Sequence, residues 1–218
     1  MLSFLHTAES NVAAIGKLMA ELAPDIPTRH LLAAELLADA VKAGTVTDKI
    51  AADVRAKLAE AAKDAAVVVC TCSTIGAVAE AADGTLPAPV QRIDRAMAEK
   101  AVAGGRRVLV AACVPTTIEP TSDLLTKVAR EAGHAVDIAV VLIADAWPKF
   151  LAGDVAGYNA MIVERLTAEK GTADVVVLAQ ASMAGAAAET ERRLGVPVLT
   201  SPRLGVAAAI DAWRRTRG

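Results

Sequence analysis

The sequence is poor in aromatic residues and in net charge, and each shortage excludes a class of function. Aromatic side chains make up only 2% of the 218 residues, against 54% hydrophobic residues in all, so Ala, Val, Leu and Ile must build the core. A net charge of −2 and so few rings for base stacking argue against nucleic-acid binding. The apolar stretch 135–146 is broken by Asp137 and Asp145, well short of the roughly 20 residues of a membrane helix. We therefore expect no membrane association.

Cysteine and histidine are also scarce, with three of each. The first residues, MLSFLHTAES, have no basic segment, which predicts no signal peptide, and an odd number of cysteines predicts no structural disulfides. Cys70 and Cys72 are too few to form a metal site without a second pair. We expect a cytoplasmic protein without a metal, whose partners are small molecules or a second copy in a homodimer.

Short β-branched runs alternate with alanine-rich helical stretches along the chain, which is typical of strand–helix units in a parallel sheet. The predicted strands are 2–6, 29–32, 67–70, 90–93, 108–112, 138–142, 175–178 and 198–200. The clearest predicted helices are 10–22, 47–63, 122–132, 154–169 and 205–215. The expected fold is α/β with two lobes, the first formed by 1–94 and 203–218 and the second by 95–202.

The two sets of four strands resemble copies of one unit. The Val-rich segments 67–69 and 175–177 are 108 positions apart, and the Pro-Val pairs at 89–90 and 197–198 have the same offset. This common register indicates an internal duplication. Because parallel sheets bind ligands beyond the carboxyl ends of their strands, we expect a ligand in a cleft between two similar lobes.

The segment VVVCTCSTIG leads from a predicted strand into a loop whose Ser73, Thr74 and Gly76 suit the start of a helix. A thiol there meets unpaired backbone N–H groups and the positive end of the helix dipole, which lower its pKa and favour the thiolate. The same groups can bind a carboxylate. We interpret Cys72, past the strand, as reactive, and Cys70, within the strand, as a buried filler.

Four segments together carry a resemblance to a known family. They are CST at 72–74, RID at 92–94, VLVAACVPTTIEPT at 108–121 and VVVLAQASM at 175–183. In this order they resemble the aspartate/glutamate/hydantoin racemase superfamily, over essentially the full chain. The resemblance places Cys72 on the first catalytic cysteine of the family's Cys-Asn-Thr motif, with Ser73 where Asn is usual.

The resemblance implies a cofactor-independent enzyme with two pseudosymmetric Rossmann-like lobes, each with a parallel four-stranded sheet flanked by helices. Two cysteines would flank the substrate α-carbon, one removing the proton and the other delivering a proton to the opposite face. Backbone N–H groups and threonine hydroxyls would hold the carboxylate of an amino acid or related acid.

The sequence departs from the family pattern at the second cysteine, where Gln180 stands. An amide cannot exchange protons near pH 7, so symmetric two-thiol racemisation needs a replacement, for which His6 and Cys113 are candidates. Decarboxylation followed by one protonation, or cis–trans isomerisation through addition of Cys72 to an unsaturated diacid, needs only one thiol. A protein that has lost catalysis and only binds a small acid is the alternative outside enzymes.

Several residues in this pattern also have structural interpretations. His6 can bind an anion or relay a proton, or it can be a satisfied buried histidine. Cys113 is interpreted as a buried apolar residue. Arg92 and Asp94 have two interpretations: the resemblance implies an acidic position near the surface between the lobes, and a plain surface ion pair accounts for them almost as well. The predicted site has Cys72 and Gln180 as catalytic residues. Its predicted substrate-binding residues are His6, Thr7, Ser73, Thr74, Thr116, Thr117 and Ser182.

Overall fold

The structure is a computed structural model that describes residues 1–169 and 171–217. It divides into two compact units: unit 1 comprises Met1–Ala96 and the segment from Pro202 onward, and unit 2 comprises Met97–Ser201. Each unit contains a parallel four-stranded sheet flanked by helices, which confirms the predicted fold class. The strands are β1 Leu2–His6, β2 Thr28–Leu32, β3 Val67–Cys70, β4 Val90–Arg92, β5 Arg107–Ala112, β6 Asp137–Leu142, β7 Val175–Leu178 and β8 Val198–Thr200.

Helices connect the strands in both units. They are α1 Glu9–Leu22, α2 Ala34–Ala43, α3 Asp48–Ala61, α4 Gly76–Ala82, α5 Arg95–Gly104, α6 Ile118–Glu131, α7 Trp147–Leu151, α8 Val155–Ala168, α9 Ala187–Leu194 and α10 Ser201–Arg215. Three short 3₁₀ turns cover Pro115–Thr117, Ala144–Ala146 and Ala181–Ala186. No helix in the part of the chain that the structure describes is long and apolar enough to cross a membrane.

The sheet of unit 1 has the strand order β2-β1-β3-β4, and every residue of the two central strands is buried. Alternate side chains point to opposite faces of a strand, so β1 and β3 contribute to two separate cores. Leu2 and Phe4 pack with residues of α1 and α10 on one face. Leu5 and Cys70 pack with residues of α2, α3 and α4 on the other.

Unit 2 repeats this arrangement with the order β6-β5-β7-β8. The repeat extends to individual hydrogen bonds. The N–H of Val90 donates to the Asp83 carboxylate (2.9 Å), and the N–H of Val198 donates to the Glu191 carboxylate (2.9 Å), with the same offset of 108 residues. A shared strand order and shared side-chain clamps support the duplication predicted from the sequence.

Two helices, α6 and α10, begin four residues earlier than predicted, and each has a proline in its first turn. Helix α6 was expected from residue 122 but begins at Ile118, with Pro120 in its first turn. Helix α10 was expected from residue 205 but begins at Ser201, with Pro202 in its first turn. The first N–H groups of a helix have no partner within the helix, so proline is tolerated there and does not delay the start.

Helix α10 approaches the backbone after β4 closely at Gly205. A Cβ at this position would clash with the carbonyl oxygen of Ile93, whereas a Cβ at Gly16 in α1 would meet nothing within 4 Å. We expect Gly205→Ala to destabilise the protein by roughly 1–3 kcal/mol, as overpacking does. The matched control, Gly16→Ala, should stabilise it by about 0.5–1 kcal/mol through helix propensity. Urea unfolding followed by circular dichroism measures both, and equal effects of the two substitutions would contradict the expectation.

Candidate active site

The first group of predicted site residues lies in unit 1, at the carboxyl ends of β1 and β3. Strand β3 ends where the N–H of Thr71 donates to the carbonyl of Leu5 on β1, which brings the loop 71–75 beside residues 6 and 7. The loop then turns sharply, with the N–H of Gly76 bonded to the carbonyl of Ser73, and α4 begins. Thr7, Thr71, Cys72, Ser73 and Thr74 are all buried there.

The thiol of Cys72 is surrounded by hydrogen-bond donors. Its partners are the hydroxyls of Thr7 and Thr74 and the backbone N–H groups of Thr74 and Ile75. The sequence predicted a lowered pKa, but burial raises the pKa of the Cys72 thiol by more than these donors lower it. The helix-start geometry was predicted correctly, and the effect of removing the site from water was underestimated. Four hydrogen-bond donors stabilise the Cys72 thiolate, but forming it in this buried place loses the solvation that water would give to the charge.

Cys70 differs from Cys72 in its surroundings. Its side chain is fully buried in the core of unit 1, and its thiol faces the carbonyl oxygen of Cys72 at 3.6 Å. Burial raises the pKa of Cys70 to about 12, so it stays a neutral thiol at physiological pH. All three cysteines of the chain are free.

His6 is buried and has a protein partner on each ring nitrogen. Nδ1 lies 2.9 Å from the Thr71 hydroxyl, which itself donates to the carbonyl of Leu5 and so accepts from His6. That leaves Nε2 as the acceptor, 2.9 Å from Nδ1 of His30. Burial, and secondarily the neighbouring His30, lowers the pKa of His6 to about 4. The arrangement matches the interpretation of His6 as a satisfied buried histidine.

Arg92 and Asp94 form a buried ion pair, which corrects the expectation of a pair at the surface. The Arg92 guanidinium donates to both Asp94 carboxylate oxygens, from Nε at 2.7 Å and from a terminal nitrogen at 3.0 Å. Glu80 lies 3.6 Å from the same guanidinium. A Cβ at Gly76 would lie 2.9 Å from three guanidinium atoms, so glycine is needed where α4 begins. The ion pair thereby packs directly against the helix that follows the Cys72 loop.

The second group of predicted site residues lies in unit 2, at the carboxyl ends of β5 and β7. The side-chain oxygen of Gln180 accepts from the backbone N–H groups of Cys113 (2.6 Å) and Val114 (3.0 Å). The amide of Gln180 is therefore fixed against the loop that follows β5. Thr116 and Thr117 lie in the 3₁₀ turn of that loop. Among the described residues, the Thr116 hydroxyl is buried without a hydrogen-bond partner.

Tyr158 on α8 links two further residues of this group. Its hydroxyl lies 3.0 Å from the Ser182 hydroxyl and is hydrogen-bonded to the thiol of Cys113. Burial raises the pKa of the Tyr158 hydroxyl, and burial raises the pKa of Cys113 to about 11, with Asp145 adding to the second effect. Both groups are neutral at physiological pH.

The structure thus brings the predicted residues together in two groups, one in each unit. Tyr158 and His30 were not predicted as partners of site residues. Tyr158 is the only tyrosine of the chain and lies in a predicted helix, and its polar hydroxyl within an apolar stretch was the available signal. His30 on β2 pairs with Phe4 on β1, which brings its ring near His6. The sequence does not show the register in which β1 and β2 pair. In residues 1–169 and 171–217, no three His, Cys, Asp or Glu side chains are placed to hold a metal ion.

Comparison with known families gives one match over nearly the whole chain. The model of the family described as Asp/Glu/Hydantoin racemase matches residues 6–209. A comparison with curated proteins found no match.

Comparison with solved structures gives several of the same overall fold. A glutamate racemase isoform from Bacillus anthracis is 14% identical with a TM-score of 0.75, covering 99% of this chain and 82% of its own. An aspartate racemase from Picrophilus torridus is 14% identical with a TM-score of 0.71, covering 98% of this chain and 94% of its own. An arylmalonate decarboxylase is 20% identical with a TM-score of 0.57, covering 97% of this chain and 92% of its own. At these identities the likeness is one of fold.

Proposed function

Because the chain belongs to the Asp/Glu/Hydantoin racemase family, we propose that it is a cofactor-independent isomerase that acts on a small carboxylate through the thiolate of Cys72. The observation that carries the proposal is the set of four donors on the Cys72 sulfur, from Thr7, Thr74 and Ile75. A buried thiol that served only to fill space would not need these contacts. They stabilise the thiolate, which is the form of cysteine that accepts a proton.

In the proposed reaction, the Cys72 thiolate removes the proton from the carbon next to the substrate carboxylate. The proton becomes the S–H of Cys72, and the C–H electron pair moves into the carboxylate to give an enediolate. The buried hydroxyl of Thr116, without a partner in the described part of the chain, is suited to a carboxylate oxygen.

Decarboxylation is a second candidate, and Gln180 favours it. An amide held by two backbone N–H groups stands where the resemblance to the racemases places a second thiol. A 2-substituted malonate that loses carbon dioxide leaves an enediolate, which needs one proton from one thiol rather than two acid/base groups. The fold similarity to an arylmalonate decarboxylase makes malonates a substrate class to include in the test.

The test is NMR spectroscopy in D₂O with L- and D-aspartate, L- and D-glutamate, a 5-substituted hydantoin, phenylmalonate and maleate. We expect the wild-type protein to exchange, decarboxylate or isomerise at least one of them. Cys72→Ala should lower that rate by about 10³-fold, in the range that a positioned acid or base contributes. Cys70→Ala, which removes the neighbouring buried thiol, is the matched control and should keep the reaction.

The outcomes separate the candidates. Exchange of α-hydrogen indicates the isomerase, and loss of carbon dioxide from phenylmalonate indicates the decarboxylase. Equal rates for wild type and Cys72→Ala with every compound would reject thiolate chemistry at Cys72. Binding of these acids without turnover would then point to a small-acid binding protein.

A further inference from the structure

Three polar side chains form a continuous hydrogen-bonded chain beside the Cys72 loop, entirely within unit 1. Nδ1 of His30 donates to Nε2 of His6 (2.9 Å), and Nδ1 of His6 donates to the Thr71 hydroxyl (2.9 Å). The Thr71 hydroxyl donates to the carbonyl of Leu5 (3.1 Å). Each bond has a defined direction, because the last acceptor is a carbonyl, which cannot donate. The chain therefore runs from a half-buried histidine on β2 to the residue that precedes Cys72.

Thr71 is anchored to β1 by two groups. Its backbone N–H donates to the carbonyl of Leu5 (3.0 Å), and its hydroxyl donates to the same oxygen. A hydroxyl that donates can still accept, and the N–H of His6 uses this acceptor. His6 therefore fixes the orientation of the Thr71 side chain at the point where β3 ends and the loop with Cys72 begins.

His6 and Cys72 lie on opposite faces of the sheet of unit 1. Side chains alternate along a strand, and Phe4 packs in the core with residues of α1 and α10, so His6 points to that face. Cys72 packs in the core with residues of α2, α3 and α4, on the other face. His6 thus supports the loop from behind the thiol. Thr7, which follows His6 in the chain, contacts the Cys72 sulfur through its hydroxyl.

The rings of Phe4, His6 and His30 are stacked on this face. The centroids of His6 and His30 are 5.1 Å apart with 12° between the ring planes, and those of Phe4 and His30 are 5.3 Å apart with 14°. Burial lowers the pKa of both histidines, so both are neutral at physiological pH and each keeps one N–H and one acceptor nitrogen. Stacking and neutrality together hold the hydrogen bonds of the pair in one direction.

We propose that His6 is a positioning residue for Cys72 and acts through Thr71. Its bond to the Thr71 hydroxyl, together with the adjoining Thr7, sets where the thiol lies relative to its hydrogen-bond donors. His30 keeps His6 in the tautomer that makes this bond. The proposal rests on the proposed function, because it assigns the pair of histidines to the reaction of Cys72. It gives His6 a role in that reaction without contact with the sulfur or the substrate.

Two amide substitutions distinguish the two ring nitrogens of His6. The side-chain N–H of asparagine can take the place of Nδ1–H and bond to Thr71, whereas the longer glutamine reaches the place of Nε2. We expect His6→Leu and His6→Gln to lower kcat by about 10-fold to 10²-fold and to change KM by less than about 3-fold, as displacement of a reacting group does. His6→Asn should keep kcat within about 3-fold of the wild-type value. A merely structural role would not favour asparagine over glutamine.

The experiment measures kcat and KM with aspartate, glutamate, the 5-substituted hydantoin, phenylmalonate and maleate, and it adds a readout that needs no turnover. Alkylation of Cys72 by iodoacetamide, located by mass spectrometry, reports how well the thiolate is stabilised. Leucine fills most of the space of the imidazole, so in His6→Leu the thiol stays buried while its donors lose alignment. Its alkylation rate near pH 8 should therefore fall by about 3-fold to 10-fold, and His6→Asn should keep the wild-type rate.

Further variants keep the result interpretable. Thr71→Val removes the hydroxyl that His6 contacts and should lower kcat as His6→Leu does, and the double variant should be no slower than either single one. The matched control is Thr85→Val, because the Thr85 hydroxyl also donates to a carbonyl in unit 1, that of Ala82 (2.7 Å), outside this chain of bonds. It should keep the wild-type kcat and alkylation rate. Thermal unfolding of each variant identifies loss of folding.

The outcomes distinguish the two proposals. If Cys72→Ala is inactive but His6→Leu keeps the wild-type kcat and alkylation rate, the role of His6 is overturned and the proposed function stands. Equal losses in His6→Asn and His6→Gln also overturn the role of His6. If Cys72→Ala is as active as the wild type, or no acid is turned over, the proposed function fails. The alkylation rates then decide by themselves whether His6 positions the thiol.

Discussion

Asp94→Asn is expected to lower the free energy of unfolding by about 3 kcal/mol, because it leaves the buried Arg92 guanidinium without its bidentate carboxylate. The Arg92 side chain is 4% exposed and that of Asp94 is 0% exposed, so water cannot replace the lost contacts. Glu80 remains 3.6 Å from the Arg92 guanidinium and compensates for part of its charge. The expected loss is therefore at the lower end of the range for a broken buried ion pair. Urea unfolding measured by circular dichroism gives the value.

The matched control for this substitution is Asp53→Asn. Asp53 pairs with Lys49 at 2.8 Å, but both side chains are exposed, and such pairs contribute about 0–1 kcal/mol. A loss at Asp94 no larger than the loss at Asp53 would show that burial of the Arg92 pair does not determine its contribution.

Acidification from pH 6.5 to pH 4 is expected to remove about 3 kcal/mol of stability through His6 alone. The pKa of His6 is lowered to about 4 in the folded protein, from a value near 6.5 when unfolded. Between these values the unfolded state binds a proton that the folded state does not, so stability falls as the pH falls. Well above pH 6.5 the histidine is neutral in both states and its contribution is constant. Burial also lowers the pKa of His30. Protonation of His30 therefore also lowers the stability of the folded protein as the pH falls.

The hydrogen bonds of His6 give a local reason for this sensitivity. A proton on Nε2 would face the N–H that His30 donates to it, so protonation breaks the bond between the two rings. Unfolding curves at several pH values should show a steeper decline for the wild type than for His6→Gln. The control His134→Gln, at an exposed position, should decline like the wild type. Parallel curves for wild type and His6→Gln would contradict the expectation.

All eight predicted strands begin and end within one residue of the observed strands. The buried central strands β3 and β7 were predictable because buried parallel strands are short, continuous β-branched runs, whereas β2 and β6 are largely half-buried or exposed. Helix bounds depend on capping. Thr47 and Asp154 cap α3 and α8 with their side chains, and both helices were predicted closely. Helices α2 and α9, which are not among the clearest predicted helices, have no such side-chain cap.

The candidate site was predictable in position but not in detail. The offset of 108 residues identified Cys72 and Gln180 as corresponding residues, because both follow a Val-rich strand by two positions. The contacts of Cys113 and Tyr158 join β5 to α8, and no local pattern records such a pairing. Burial of Arg92 and Asp94 likewise depends on how closely α4 packs against the ion pair. Gly76 allows this close packing, but a glycine in the sequence does not by itself predict it.

Unit 1 is built from two separate segments of the chain, and this affects the order in which the units can fold. Residues 97–201 of unit 2 are continuous, so unit 2 has all of its strands and helices once residue 201 has left the ribosome. Unit 1 must wait for α10, whose Val206, Ala209 and Ile210 complete the core around Leu2 and Phe4. During synthesis the face of β1 that carries Leu2 and Phe4 is therefore covered by α1 but not by α10 while the whole of unit 2 is made. Nascent chains that stall before α10 is complete are therefore expected to leave part of this core exposed to chaperones and proteases.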